Sequence, residues 1–147
     1  MHRDLKPANV LVTREGDKAV AKVLDFGLAK ATNRDFLDAT LLTERDQIMG
    51  TPEYMAPEQA AGDGEVIDVR ADVYALGVLL YELLTGSLPF STEDLRQAGI
   101  LEAFRIIREV DPPKPSTKFT TRHTLASEVA GRRRISINRL AKELRGD

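Results

Sequence analysis

The 147-residue chain has no cysteine and only two histidines, His2 and His123. Without cysteine there is no disulfide framework and no thiolate metal site, which fits a reducing compartment. Two histidines are too few for a His-rich zinc site. No apolar segment is long enough to cross a membrane: the most apolar stretch, Asp72 to Leu84, falls short of the ~20 residues a bilayer needs. His2, Arg3 and Asp4 stand where a signal peptide would begin to build its apolar core, so none is expected and the reading places the chain in the cytoplasm. Internal repeats and low-complexity tracts are also lacking. Gly62-Asp63-Gly64 is not a phosphate-binding G-x-G-x-x-G, because the sixth position is Ile67. What remains is 42% hydrophobic and 30% charged, the composition of one folded globular domain rather than a disordered chain.

Charge is unevenly spread. From Lys114 to Asp147 nine Lys/Arg face three Asp/Glu, a net of +6, and the preceding residues hold twelve against twenty, a net of −8. A basic tail is compatible with nucleic acid, but Phe119 is the only aromatic in it. A base-stacking row is therefore lacking. The expectation is no nucleic-acid partner, with Arg132-Arg133-Arg134 on a solvated face.

The most chemically loaded stretch is His2-Arg3-Asp4-Leu5-Lys6-Pro7-Ala8-Asn9. An acid, an ammonium two residues on and an amide oxygen five residues on can meet around one phosphoryl group. Phosphoryl transfer needs a group to orient the attacking hydroxyl, a cation for developing charge and an oxygen ligand for Mg²⁺. Val10 to Val12 and Ala19 to Leu24 are apolar, β-branched runs flanking Arg14-Glu15-Gly16-Asp17, which predicts a β-hairpin with Gly16 in the turn. A hairpin returns its two ends to one place, so Asn9 and Asp25 can bind metal beside Asp4.

Residues 29–49 show no sustained period and read as a long loop, of the kind that is usually functional inside a compact domain. Gly50-Thr51-Pro52-Glu53-Tyr54-Met55-Ala56-Pro57-Glu58 closes it. Asp72 to Leu84 then predicts a central helix, apolar on nearly all sides and so expected to be buried, Leu80 included. Asp72 is its expected N-cap and Gly86 its stop. Ser91-Thr92-Glu93-Asp94 has the form of a capping box that starts a further helix. Ile100, Phe104 and Ile107 mark an apolar face before Pro112-Pro113. Thr117 to Thr124 reads as polar loop, and helical patterns resume at Leu125 to Val129 and Ile137 to Leu144.

Taken in order, the stretch at 2–9 fits the protein-kinase pattern H-R-D-L-x-x-x-N, Asp25-Phe26-Gly27 resembles D-F-G, and Ala56-Pro57-Glu58 resembles A-P-E. Lys6 is similar to the serine/threonine subclass. The chain is thus identified as a member of the serine/threonine protein kinases, resembling the bacterial eukaryotic-like type, with motif-level resemblance from Met1 to about Asp111. The fold it implies is mainly α with a small β-hairpin, a partial kinase fold of the C-terminal lobe. One partial kinase domain would fill 1–147: catalytic loop 2–9, activation segment 25–58, central helix 72–84 and a helical part over 91–147.

The resemblance also assigns roles. Asp4 orients the substrate hydroxyl and accepts its proton, and Lys6 stabilises the transferring phosphoryl group. Asn9 and Asp25 hold Mg²⁺, and Leu11 lies under the adenine of ATP at the end of an apolar column supported by Leu79 and Leu83. Thr51 sits against Asp4 and Lys6. Arg3 pairs with a phosphate on the activation segment, for which Thr40, Thr43 and Thr32 are available. Glu58 and Asp72 are structural, Asp72 bracing the catalytic-loop backbone. The implied cofactors are ATP and Mg²⁺, and the implied partner is a protein substrate bearing Ser or Thr.

Family members place a Gly-rich loop, a strand Lys and its partner Glu ahead of the catalytic loop. None lies within these 147 residues. The expectation is a slice of a kinase domain whose N-lobe comes from the same parent chain or separately, and which is inactive in isolation. The alternative is a non-catalytic, pseudokinase-like interaction fragment or truncated gene product.

Overall fold

The computed structural model describes residues 1–25, 51–61, 67–121 and 123–145. The stretches centred on Phe26-Gly27, the candidate phosphosites Thr32, Thr40 and Thr43, and Gly62-Asp63-Gly64 lie outside them. The described part is mostly helical with one two-stranded sheet, as the partial kinase fold implies.

A short 3-10 turn, Pro7–Asn9, leads into β1 (Val10–Glu15), which pairs antiparallel with β2 (Lys18–Val23). The register runs from Val10 opposite Val23 to Glu15 opposite Lys18. Gly16 turns the hairpin at φ 64°, a left-handed conformation that costs glycine little. The ladder extends one bond further, from Leu24 N–H to Asn9 O at 2.8 Å. That bond brings the residue before Asp25 against Asn9, the end of the stretch 2–9.

A second 3-10 turn, Pro52–Tyr54, precedes the four-residue α1 (Pro57–Ala60). The central helix α2 runs Val69–Thr85, three residues longer at its start than the sequence predicts. Its cap is Asp68, not Asp72: the Asp68 carboxylate accepts the Arg70 N–H at 2.8 Å. That backbone bond, with the Arg70 guanidinium beside it, lowers the Asp68 pKa. Two aspartates four apart can each cap a helix; here the first one does, which leaves Asp72 one turn later for a tertiary role. Gly86 ends α2 as expected, at φ 74° with its N–H on Glu82 O.

Burial of α2 is one-sided, which corrects the expectation of a helix covered all round. Ala71, Ala75, Val78, Tyr81 and Thr85 are buried. Val69, Val73, Leu76, Leu80 and Leu83, spaced at i, i+4, i+7, i+11 and i+14, are each more than half exposed. The composition of a helix limits which faces can be buried; the neighbours decide which are. Among the described elements the 3-10 turn at Pro52–Tyr54 and two later helices pack on α2. Of the residues expected in the column under Leu11, Leu79 is half-buried, Leu83 is 69% exposed and Leu11 is 48% exposed.

Helix α3 (Thr92–Ala98) starts where the capping box predicts, with Ser91 Oγ accepting the Asp94 N–H at 3.1 Å. Helix α4 (Ile100–Glu109) follows at once and buries Ala103, Phe104 and Ile107. These join Ala60 and Leu95 in one apolar cluster, with Met55 and Phe90 packed against it.

The stretch expected as polar loop is helical. Helix α5 (Pro115–Thr121) and α6 (His123–Arg132) occupy it, and α7 (Ile137–Arg145) follows. Phe119 at 1% exposure supplies the anchor: it packs with Ala130, Leu140 and Ala141 in a second cluster. A short polar helix gains its stability from such a contact rather than from its own propensity. Arg134, at φ 56°, closes α6 in a Schellman arrangement, with Ile135 N–H on Ala130 O at 3.1 Å. The Arg133 guanidinium donates to Leu83 O at 2.9 Å, placing a cation at the C-terminus of α2. Tyr81 OH on Pro113 O and Lys118 Nζ on Pro89 O tie the same region to the α2 side.

Candidate active site

The stretch 2–9 is held by its backbone. The Asp72 carboxylate accepts the N–H of His2 at 2.6 Å through Oδ2 and that of Arg3 at 2.7 Å through Oδ1. Arg3 sits at φ 67°, a conformation that costs a non-glycine residue roughly 1–2 kcal/mol. A charged acceptor on its N–H offsets that cost. The Arg3 residue is exposed.

Asp4 is the centre of the polar contacts. Lys6 Nζ lies 3.1 Å from Asp4 Oδ2 and 3.5 Å from Thr51 Oγ1. Asn9, a buried residue, donates its Nδ2–H to Asp4 O at 2.8 Å and approaches Asp4 Oδ2 at 3.3 Å. These two side-chain contacts, from Lys6 and Asn9, fall on the same carboxylate oxygen, Oδ2. With Asn9 Nδ2 so used, its Oδ1 carries no hydrogen bond among the described residues. The hairpin carries Asp25 to the same end of the site, exposed and at φ 53°.

This donor set suits Mg²⁺. The ion takes one or two protein oxygens and completes its shell with phosphate and water. An amide oxygen and a carboxylate at the two ends of one hairpin are of that kind. Among the described residues no group of three or more His, Cys, Asp or Glu stands ready to cage a metal alone.

The segment from Thr51 to Glu58 lines the other side. Tyr54 OH donates to Glu82 Oε2 at 2.5 Å, joining this segment to α2. Burial above all, and then the bond to Glu82, raise the Tyr54 pKa. Gln59 accepts the Ala56 N–H at 3.0 Å and reaches Arg3 O at 3.5 Å. Glu58 lies in an open cleft of about 550 Å³ with Arg70, Arg108 and Glu109. Burial first, and then the charge of Glu58, raise the Tyr74 pKa.

The structure thus brings Asp4, Lys6, Asn9 and Thr51 within direct contact and Asp72 beneath them. Asp25 is one residue from the Leu24–Asn9 bond. Leu11 stands on β1 outside this cluster. The sequence reading gave His2 no role beyond its place in a motif. In the structure His2 is buried, with both ring nitrogens in hydrogen bonds. Its signal was a histidine two residues from the acid, in a chain that has only one other.

This arrangement carries its match to known proteins across almost the whole chain: the protein kinase domain model fits residues 1–142. The chain belongs to the protein kinase family. It is 48% identical over 120 residues to serine/threonine-protein kinase Pkn1 of Myxococcus xanthus, covering 81% of this chain and 16% of that protein. It is 41% identical over 139 residues to the kinase pkn3 of the same organism, covering 94% of this chain and 24% of that one. It is also 41% identical over 118 residues to PknB of Mycobacterium leprae, covering 80% and 17% respectively. The chain therefore spans a quarter or less of the length of these three bacterial serine/threonine kinases. No solved structure matches it significantly. Among the described residues no helix is long and apolar enough to cross a membrane.

Proposed function

We propose that these residues are the catalytic half of an ATP-dependent protein serine/threonine kinase. The observation that carries this reading is the Asp4 carboxylate, held at Oδ2 by Lys6 and Asn9 with Thr51 beside Lys6. A carboxylate fixed in that way can orient a substrate hydroxyl and take its proton, which is positioning rather than covalent chemistry. Lys6 Nζ, a cation 3.1 Å from the acid, balances charge that develops on the transferring group. Asn9 and Asp25 would hold Mg²⁺, which offsets the charge of the nucleotide phosphates when bound. Thr51 keeps Lys6 on the substrate side. Arg3, whose side chain is not needed to hold the loop, is available to a phosphate on the segment between Asp25 and Thr51.

By this reading the 147 residues do not turn over alone. They contain no Gly-rich loop and no second lysine for the α- and β-phosphates, and each phosphate-positioning group is worth on the order of 10²-fold in rate or more. The expected experiment is phosphate transfer from ATP to a mixed Ser/Thr peptide, with and without a kinase nucleotide-binding half fused ahead of Met1. Transfer that requires the added half, and that Asp4→Asn removes, supports the proposal. Equal transfer by the Asp4→Asn protein refutes it.

A second reading, a non-catalytic interaction fragment, draws on the exposed stripe Val69, Val73, Leu76, Leu80 and Leu83 on α2. Apolar rows of that length mark interaction surfaces. The same fusion separates the two: an interaction fragment gains binding partners and no transferase activity.

A further inference from the structure

We propose that the helical unit at 114–145 is a docking surface for an acidic segment of the phosphoacceptor protein; the inference rests on the kinase reading of Asp4. Eight of the unit's described residues are Lys or Arg, against two acids, Glu128 and Glu143. Much of that charge is not consumed within the fold. Arg139 pairs with Glu143 at 3.1 Å, and Arg133 is held on Leu83 O at 2.9 Å. Arg132, Arg134, Lys142 and Arg145 are exposed and enter no ion pair among the described residues. Packing explains why they stand outward. Leu140 and Ala141 of α7 are buried with Phe119, and Ile137 and Leu144 pack against them. Arg139, Lys142 and Arg145 recur every third residue on the other side of that helix. Like charges gathered in this way repel one another, and an anionic partner relieves the repulsion.

The surface favours an acidic polypeptide over other polyanions. Phe119 is 1% exposed and is the unit's one aromatic, so no ring is offered to the bases of a single strand. None of the large apolar side chains that stand exposed among the described residues belongs to the unit, so nothing enters a lipid surface beneath the cations. Most of the cations are arginines, whose planar guanidinium takes a carboxylate through two parallel hydrogen bonds. The unit also has a fixed place relative to the site. Arg133 on Leu83 O, Tyr81 OH on Pro113 O at 2.8 Å and Lys118 Nζ on Pro89 O at 3.2 Å tie it to the C-terminal end of α2 and the residues that follow. Next to Leu83, the Glu82 carboxylate accepts Tyr54 OH from the segment that begins at Thr51. Asp72, which holds the backbone before Asp4, lies on the same helix. The rise along α2 from Asp72 to Leu83 is about 16 Å, which an extended chain covers in about five residues. An acidic stretch therefore reaches this surface when at least about five residues separate it from the phosphoacceptor.

The surface and its role are read by separate measurements. Met1–Asp147 at low salt should bind a fluorescent octaglutamate peptide. Arg132→Glu, Lys142→Glu and Arg145→Glu combined should weaken that binding about tenfold or more. Arg14→Glu, Lys18→Glu and Arg96→Glu combined make the same change in net charge away from the unit, and should weaken it less than about threefold. Circular dichroism melts check that both variants fold; if the first does not, Lys142→Gln with Arg145→Gln takes its place. Equal losses in the two sets, or no peptide binding by the unsubstituted chain, overturns the proposal. Binding of duplex DNA or phosphatidylserine vesicles as tight as that of the peptide also overturns it. So does a salt-sensitive dimer in sedimentation that the first variant abolishes, which would give the surface to a second copy. Fused behind a kinase nucleotide-binding half, the chain should phosphorylate a Ser peptide whose acidic block lies about ten residues away with a KM about tenfold below that for a block about two residues away. The value of kcat should be the same for both, and the first variant should erase the difference. Equal KM values overturn substrate docking. A fusion that transfers no phosphate defeats the kinase reading instead, and peptide binding then decides the surface alone.

Discussion

The carboxylate of Asp72 and the backbone of His2 meet at 2.6 Å although 70 residues separate them in sequence. Its other oxygen takes the Arg3 N–H at 2.7 Å. One side chain on α2 thus holds the two residues that precede Asp4, one of them in a left-handed conformation.

Asp72→Asn should therefore cost stability out of proportion to its size. An amide can offer an acceptor to one N–H, and its NH₂ then opposes the other. A loss of about 1–3 kcal/mol is expected, the usual penalty for a donor left unpaired. Thermal unfolding of the variant measures it. A melting temperature equal to that of the unsubstituted chain would mean that the loop is held by something else.

The two faces of α2 should respond oppositely to charge. Leu80 is 56% exposed and Ala75 is 4% exposed. Leu80→Asp should leave stability within about 0.5 kcal/mol, as exposed substitutions usually do. Ala75→Asp should prevent folding, because it buries an unpaired carboxylate. Circular dichroism melts of the pair decide it: an unfolded Leu80→Asp would show that this stripe is covered.

Alkaline pH should destabilise the chain through its tyrosines. Burial pushes the Tyr81 phenol up to about 12 from an ordinary 10.0. The folded state holds this proton more tightly, so its contribution is fully present below pH 10 and is lost as pH rises toward 12. Tyr54 shifts in the same direction. Tyr81→Phe should lower the melting temperature at neutral pH, by losing the bond to Pro113 O. It should also flatten the fall in stability between pH 10 and 12. A pH slope unchanged by the substitution would contradict this assignment.

Arg134 occupies the left-handed position that ends α6. Glycine adopts that conformation with little cost, so Arg134→Gly should raise stability by up to about 1 kcal/mol. Urea denaturation compares the two. A clear destabilisation would show that the arginine side chain makes a contact worth more than its backbone strain.

Much of this fold is legible locally. The hairpin, Gly86 and the Ser91 cap each depend on a few adjacent residues whose chemistry admits one good solution. The misreadings share a cause. Asp68 and Asp72 are equivalent as caps, and the choice between them follows from two N–H groups some 70 residues away in sequence, which no helix signal contains. The apolar content of α2 is plain in the sequence, but which face is covered depends on neighbouring elements. Residues 117–124 look like loop because the helix over Pro115–Thr121 rests on one phenylalanine meeting partners further along the chain. At the site, the contacts of Asp4 with Lys6 and Asn9 were legible because these residues lie within five positions of one another. The hydrogen bonds of the His2 ring were not, since they appear only when Leu24 is seen beside it.

The central claim is that Asp4, Lys6, Asn9 and Asp25 form phosphoryl-transfer apparatus lacking only the groups that cradle the nucleotide. The most direct measurement is the rate of phosphate incorporation into a Ser/Thr peptide by Met1–Asp147 fused behind a kinase nucleotide-binding half, with Asp4→Asn in parallel. The account predicts Mg²⁺-dependent transfer by the fusion, at least ~10²-fold faster than by its Asp4→Asn counterpart. A folded, ATP-binding fusion that transfers no faster than Asp4→Asn would contradict it.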